Sequence, residues 1–355
     1  MKKKKDKNKK FKDLDINIEN KPKKPLEIVK TLKISSANNI ITLKNISYFI
    51  ISQNKFEENS TFPFFSIIKK ENLELIQKIH TNIYNQCLII NENSILLSKM
   101  IEPSTDLWTK DKSNKFIKTK SLSIIINSNI LFNSNSNLLF HYFYPNSSKS
   151  EIQIWKTKDE IPEKLISKYP TITSYIKKLF FLKNETILVI YHYESDDIGI
   201  SFYNTNKFNI IKNIELDNKY CDLKPFKFDE NRIIIIEKIS DDCSYDDNII
   251  QKIKIMKIPE FEIVKEIEAI YECRGVLTYK EFFILYEPSI IRVYNNDNYQ
   301  LFKEIDIRGI FTLSKLKDNY LIGLVNQYAN FDKYYEYDEK EKTQIRDLIL
   351  YKVNF

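Results

Sequence analysis

The chain has 355 residues and a net charge of +7, with 43% hydrophobic and 29% charged residues but only 4 Gly, 4 Cys and 3 His. That length fits one large domain or two smaller ones, and the composition excludes wholesale disorder. So few Gly and His leave little room for glycine-rich phosphate loops or His-based metal sites. Cys87, Cys221, Cys243 and Cys273 form no CxxC pair, no secretory signal is apparent, and no apolar run approaches the ~20 residues of a membrane helix. An intracellular setting, cytoplasmic or nuclear, with no transmembrane segment is expected.

Residues 1–25 differ from the rest. They hold eleven Lys against four acids, which is the whole excess charge of the chain; the remaining 330 residues carry 44 basic and 44 acidic side chains. Few apolar residues and a Pro22-Lys-Lys-Pro25 punctuation predict a disordered tail. Lys2, Lys3, Lys4, Lys5, Lys7, Lys9 and Lys10 form a candidate polyanion-binding segment, for RNA or an anionic surface, or a nuclear localisation signal. Lys and Asn are also products of A/T-rich codons, so a merely solubilising tail stands beside these readings.

From residue 26 the chain reads as short strands, with Ile, Val, Phe and Tyr alternating with polar residues between Asn, Asp, Ser and Pro clusters. Leu26 to Ile34 is the first. Further on, first strands of a repeating unit begin near 38, 83, 128, 174, 221, 275 and 309. Glu160 to Lys168 is the nearest approach to a helical stripe, and it is short. The clearest unit runs from 174 to 216 as four strands: Ile176–Leu182, Thr186–Glu194, Ile198–Asn204 and Phe208–Leu216. Third strands end on a large residue followed by a polar one: Ile68-Lys69, Trp108-Thr109, Trp155-Lys156, Tyr203-Asn204, Met256-Lys257, Tyr294-Asn295 and Tyr351-Lys352. Four antiparallel strands per ~45 residues is one propeller blade. The last unit supplies three strands only. Leu26-Glu-Ile-Val-Lys matches the fourth strand Phe261-Glu-Ile-Val-Lys, so the N-terminal strand is expected to complete blade seven.

Residues 26–355 therefore read as an all-β, seven-bladed β-propeller of four-stranded blades, closed by the N-terminal strand. The repeat length, the four-strand pattern and the aromatic-plus-polar doublets resemble the WD40 type. The family's Gly-His pair and Trp-Asp ending are missing, so the resemblance implies the fold without its His-to-Asp hydrogen-bond network. Hydrophobic packing between blades is expected to hold the ring.

No catalytic set, cofactor motif or metal-ligand set is legible. His80, His141 and His192 lie far apart, and strand-start residues such as Asn38, Cys221 and Gly275 make no carboxylate cage. Ser240 to Asp247 is acidic without calcium-loop spacing. Arg274-Gly275 matches half of the Phe-Arg-Arg-Gly motif of phosphoinositide-binding propellers. Three glycosylation sequons are no more than this much Asn produces by chance. The longest interruption, Tyr328 to Gln344, interleaves Phe331, Tyr334, Tyr335 and Tyr337 with acids including Asp338 and Glu339. Tyrosine gives large contact area at low entropy cost, and acids steer a basic partner.

The leading functional expectation is a non-enzymatic protein–protein interaction scaffold or adaptor, a subunit of a larger assembly, without a cofactor. Those six loop residues would dock a protein partner with a basic segment. The alternatives are a ribonucleoprotein or nucleic-acid-associated subunit using the tail, a propeller enzyme, and a phosphoinositide-binding propeller.

Overall fold

The computed structural model describes residues 26–325 and 345–354, apart from 36, 43–45, 58–59, 81–83, 100–103, 123, 125–129, 134, 147–148, 160, 171–175, 195–196, 217–219, 240–249, 270–272, 308 and 318. Among them every regular element is a strand. Strand β1 (Leu26–Ser35) stands apart from the units that follow. Blade 1 holds β2 (Ala37–Ile41), β3 (Tyr48–Glu57), β4 (Ser60–Lys69) and β5 (Leu75–His80), and blade 2 holds β6 (Tyr84–Asn91), β7 (Ser94–Lys99), β8 (Thr105–Lys110) and β9 (Phe116–Leu122). Blade 3 is β10 (Ile130–Asn133), β11 (Leu138–Asn146), β12 (Lys149–Lys158) and β13 (Ile161–Pro170), and blade 4 is β14 (Ile176–Leu182), β15 (Ile187–Glu194), β16 (Asp197–Asn204) and β17 (Ile210–Leu216). Blade 5 follows as β18 (Tyr220–Lys227), β19 (Arg232–Ile239), β20 (Ile250–Lys257) and β21 (Glu262–Ala269), then blade 6 as β22 (Gly275–Tyr279), β23 (Phe282–Tyr286), β24 (Ile290–Asn295) and β25 (Leu301–Asp306). Blade 7 joins β26 (Ile310–Lys317), β27 (Tyr320–Val325) and β28 (Ile345–Val353) to β1. Each sheet is a four-stranded antiparallel meander, and the seven close into a ring.

Closure is antiparallel, with Leu26 opposite Val353 and Ser35 opposite Ile345, as the matching sequences implied. The strand therefore removes the open edge that β28 would otherwise present. Residues 161–168, within the nearest approach to a helical stripe, lie in β13, in keeping with an all-β chain; Pro162 and pairing with β12 commit them to a strand.

The aromatic-plus-polar doublets mark a bulge, and in blades 2, 3 and 7 they stand short of the strand's end. In all seven blades the ladder between third and fourth strands shifts register at the doublet's large residue. One unpaired residue is inserted in the outer strand there: Val29, Ile76, Thr119, Ile166, Ile211, Val264 or Phe302. A bulge bends the strand and sharpens its twist, which an outer strand on a curved blade requires. It also accounts for the rim's exposed apolar side chains, since Val29, Ile166, Ile211, Val264 and Phe302 are all exposed. In four of the hairpins that follow, Leu73, Phe208, Phe261 and Tyr299 adopt left-handed φ values of 50–58°. The conformation costs roughly 1–2 kcal/mol for a residue with a Cβ. Packing offsets it: Leu73 is buried, Phe208 stacks on Tyr203, and Phe261 meets Phe202 edge-on.

Seven apolar clusters fill the seven gaps between blades. Phe49 and Ile51 of blade 1 meet Leu348 and Leu350 of blade 7, for example, and Phe140 of blade 3 meets Phe181 of blade 4 edge-on at 5.4 Å. Each fully buried Phe or Ile contributes about 1.5–3 kcal/mol. The hairpins on the opposite side from the connections into first and third strands add a polar clasp, most of them joining first to second strands. Ser47 donates to Glu92 in the next blade, Asn184 N–H to Glu230 (2.9 Å), Arg232 to the Asn296 carbonyl (2.9 Å), and Tyr279 to Asn319 (2.8 Å). Across the closing seam Lys30 donates to the Asn72 carbonyl at 2.6 Å.

Candidate functional site on the axial wall and loop face

First and third strands of a blade run in the same direction, so the connections leading into both emerge on one face of the disc. Segments 240–249 and 326–344 each precede a third strand, β20 and β28. Phe331, Tyr334, Tyr335, Tyr337, Asp338 and Glu339 lie outside the described residues, as do Ser240 to Asp247 and the tail lysines Lys2 to Lys10. The strand that continues from the tail starts at Leu26, opposite Val353 near the end of the third strand β28. The tail thus joins the fold on the hairpin face, opposite the loops.

Among the described residues, first strands form one edge of each blade, the inner one in a ring whose first strands neighbour each other. Their register defines a common rung, three residues before the position that faces the doublet across the second strand. On it stand Asn39, Gln86, Lys178, Lys224, Gly275 and Thr312, paired in turn with Ser52, Ser98, Tyr191, Ile236, Tyr286 and Leu324. The blade 3 equivalent, residue 129, is outside the described residues. At Gly275 a Cβ would fall within 2.6 Å of the Tyr286 ring, so glycine is needed there to seat that ring in the cluster between blades 6 and 7. The Tyr286 hydroxyl hydrogen-bonds with Thr312 and the Leu313 backbone. The Lys178 ammonium lies 3.8 Å from the centroid of Phe226, on the first strand of the next blade. Burial pushes its pKa down to about 8. Gln86 Oε1 is buried without a partner among the described residues.

Farther out, six blades place a polar residue two positions before the doublet, buried at Ser66, Asp106, Gln153, Ser201 and Arg292 and half-buried at Lys254. Ser66 donates to Gln53 at 2.5 Å, Lys254 pairs with Glu237 at 2.8 Å, and Arg292 pairs with Glu287. In blade 2 Tyr84, Ser121 (2.6 Å) and Lys118 (2.8 Å) converge on fully buried Asp106. Burial opposes ionisation of Asp106, but these donors hold its pKa below the usual carboxylate range. Burial pushes Glu287 up to about 7, despite Arg292. A diagonal of buried polar pairs therefore supplements hydrophobic packing where the resemblance implied packing alone. Its members lie 5–22 residues apart and differ in chemistry from blade to blade, so no linear motif announces them.

The sequence candidates fall apart in space. His80 ends β5 and stacks on Phe64 at 5.4 Å; His141 is buried on β11, its pKa pushed down to about 4 by desolvation; His192 lies on β15. Arg274 donates to the Ile310 carbonyl of blade 7 at 2.6 Å, a clamp between blades. Cys273 is buried, its thiol pushed up to about 12, chiefly by desolvation. Among the described residues no three or more of His, Cys, Asp and Glu are grouped as metal ligands, and no helix is long and apolar enough to cross a membrane.

No family model matches the chain, and no curated protein matches it. Solved structures do. The WD40 domain of Neurospora crassa Pan2 aligns with TM-score 0.61 at 10% identity, over 93% of this chain and 96% of that one. The AfRom2 CNH domain aligns at 0.57 and 8%, over 93% and 99%. Kuenenia stuttgartiensis hydrazine synthase aligns at 0.59 and 7%, over 78% and 89%. At such identities the likeness is one of fold: the chain is a seven-bladed β-propeller that resembles the WD40 type in divergent form.

Proposed function

We propose that the protein is a non-enzymatic interaction scaffold, an adaptor within a larger assembly, and that its loop face captures a Lys/Arg-rich protein segment. The observation that carries this reading is topological. The two longest connections, 240–249 and 326–344, are both acidic, one is rich in tyrosine, and both lead into third strands on one face of a closed ring. A rigid ring bearing variable loops offers a broad surface at little ordering cost. The separation of His80, His141 and His192 among three blades, and the commitment of Asp106, Glu237 and Glu287 to ion pairs, support a binding role over catalysis. Among fold neighbours, the Pan2 WD40 and AfRom2 CNH domains suit this reading; hydrazine synthase keeps the enzyme alternative in view.

The test is affinity recovery with full-length protein. Changing Tyr334, Tyr335 and Tyr337 to Ser should reduce recovery of the partner severalfold and leave the melting temperature unchanged. Undiminished recovery rejects the loop as the site, and a large fall in melting temperature assigns the tyrosines to the core. A ribonucleoprotein role through the tail is the second reading, favoured by the tail's junction on the opposite face, which leaves the loops free.

A further inference from the structure

We propose that copies of this chain dock rim to rim, the basic outer edge of blade 2 on one copy meeting the acidic outer edges of blades 5 and 6 on the next. The contact uses neither face of the disc and is independent of the scaffold reading.

The outer strands carry two sets of charges. In five of the seven blades a lysine directly follows the unpaired bulge residue: Lys30, Lys120, Lys212, Lys265 and Lys303. A lysine so placed guards an exposed strand edge against pairing, whatever the blade. The remaining charges are not regular. Counted with the hairpin that leads into it, β9 adds Lys112, Lys115 and Lys118 against Asp111. In the same way β21 adds Glu260, Glu262, Glu266 and Glu268, and β25 adds Asp297, Glu304 and Asp306, neither with a further base. Edge-guarding needs charge of either sign and gives no reason for the signs to segregate.

Some of these groups are committed within the chain: Lys118 reaches back to Asp106 and Glu304 to Arg292. Lys112, Lys120, Glu262, Glu266 and Glu268 are exposed and make no ion pair among the described residues. The lysines across the ladder from those three acids, Lys257, Lys254 and Lys252, stand on the next strand inward, and Lys254 is held by Glu237. The edge itself therefore presents acid.

Position turns the two edges into one contact. In a ring of seven, blade 2 is three steps from blade 5 one way round and three steps from blade 6 the other way. The basic edge thus lies diametrically opposite the gap between the two acidic ones. A twofold dimer through either patch would set like charge on like, which is repulsive. Only a head-to-tail contact matches the signs, and with its halves on opposite sides of the ring it repeats into an open row. Both halves also expose apolar groups amid the charge: Ile117 on β9, Ile263 and Val264 on β21, Leu301 and Phe302 on β25. Their burial supplies affinity, and the charges supply partner choice and register.

Sedimentation velocity of the full chain in dilute buffer reads the association. Mass should grow with concentration past the dimer and return to monomer in about 0.5 M salt. Lys112→Gln combined with Lys120→Gln should weaken association on the order of tenfold, and so should Glu262→Gln, Glu266→Gln and Glu268→Gln together. Each variant keeps one intact edge, so an equimolar mixture of the two should form dimers and stop there. Lys212→Gln on blade 4 should change nothing. A chain monomeric throughout, or association that both variants retain, overturns the proposal. Loss in the Glu variant alone overturns it too, by giving the acidic edges to the tail lysines. Should a variant fail to fold, cross-linking of the unaltered chain decides. A carbodiimide activates a carboxylate, a lysine amine displaces the urea, and an amide forms with no spacer. Blades 2 and 5 lie on opposite sides of one ring, so an amide between Lys112 or Lys120 and Glu266 or Glu268 joins two copies. That amide is expected in the dimer band; dimers joined only through lysines of residues 1–25, or no dimers, refute the docking.

Discussion

At Lys178 the fold keeps an ammonium group against an aromatic ring, and the cost is measurable through pH. Burial lowers its folded pKa from 10.5 to about 8. Below pH 8 both folded and unfolded chains hold the proton, and the folded chain carries the full desolvation penalty. Between pH 8 and 10.5 the unfolded chain holds more protons than the folded one, so stability attributable to this residue rises with pH. Tyr191 on β15 pairs with it, the Phe226 ring on β18 faces its ammonium, and Lys224 holds the equivalent position on β18. Lys178→Met should therefore melt higher than the parent at pH 7, and the advantage should shrink as pH climbs from 8 to 10.5. Melting curves of both proteins across that range check it; a variant that melts lower throughout would show that the stem's packing outweighs the buried charge. His141 acts in the same sense in a lower pH window. Its pKa near 4 means the folded chain resists protonation, so its contribution is lost as pH falls from 6.5 to 4.

At the level of elements, strand β1 is where pairing and stability can be separated. Residues 1–25 precede the strand, whereas Leu26 and Ile34 are buried and Leu26 to Ser35 pair along β28. Removing 1–25 should leave the melting temperature almost unchanged. Removing 1–34 should lower it strongly, by stripping an outer strand and opening the edge of β28. Equal melting temperatures for the two truncations would refute the closing role. The kinship of Leu26-Glu-Ile-Val-Lys with Phe261-Glu-Ile-Val-Lys made this pairing legible, because the outer strands share a bulge and hence a local pattern. The doublets were legible as repeat markers, but not as bulges: a bulge is a relation between two strands, and one strand's residues do not reveal it. The rung escaped for a similar reason. Strand-start residues such as Asn38, Cys221 and Gly275 invited attention, whereas Lys178 and Lys224 become equivalent only once the ladders align them. The buried diagonals, Gln53 with Ser66 and Glu237 with Lys254, change chemistry between blades and leave no repeated letter.

For the whole molecule, charge and topology distinguish the two sides of the disc. The body is neutral by count while residues 1–25 carry +7, and they join it on the hairpin face. Binding to RNA or acidic vesicles should come mainly from the tail: a protein starting at Pro25 should lose most of its affinity and most of its salt dependence. Retention of full affinity with the same salt slope would locate the polyanion surface elsewhere. The seam between β1 and β28 has a further consequence, in time rather than space. A ribosome delivers the chain in order, and β28 emerges more than 300 residues after β1. At roughly 5–20 residues per second, the first strand waits about 15–60 s for its partner while six blades fold beside it. An unpaired strand containing Ile28, Val29, Leu32 and Ile34 is a template for pairing with a neighbouring nascent chain. Lys30 and Lys33 interrupt it, and eleven lysines precede it, so neighbouring chains on one message repel each other at the very segment still seeking its partner.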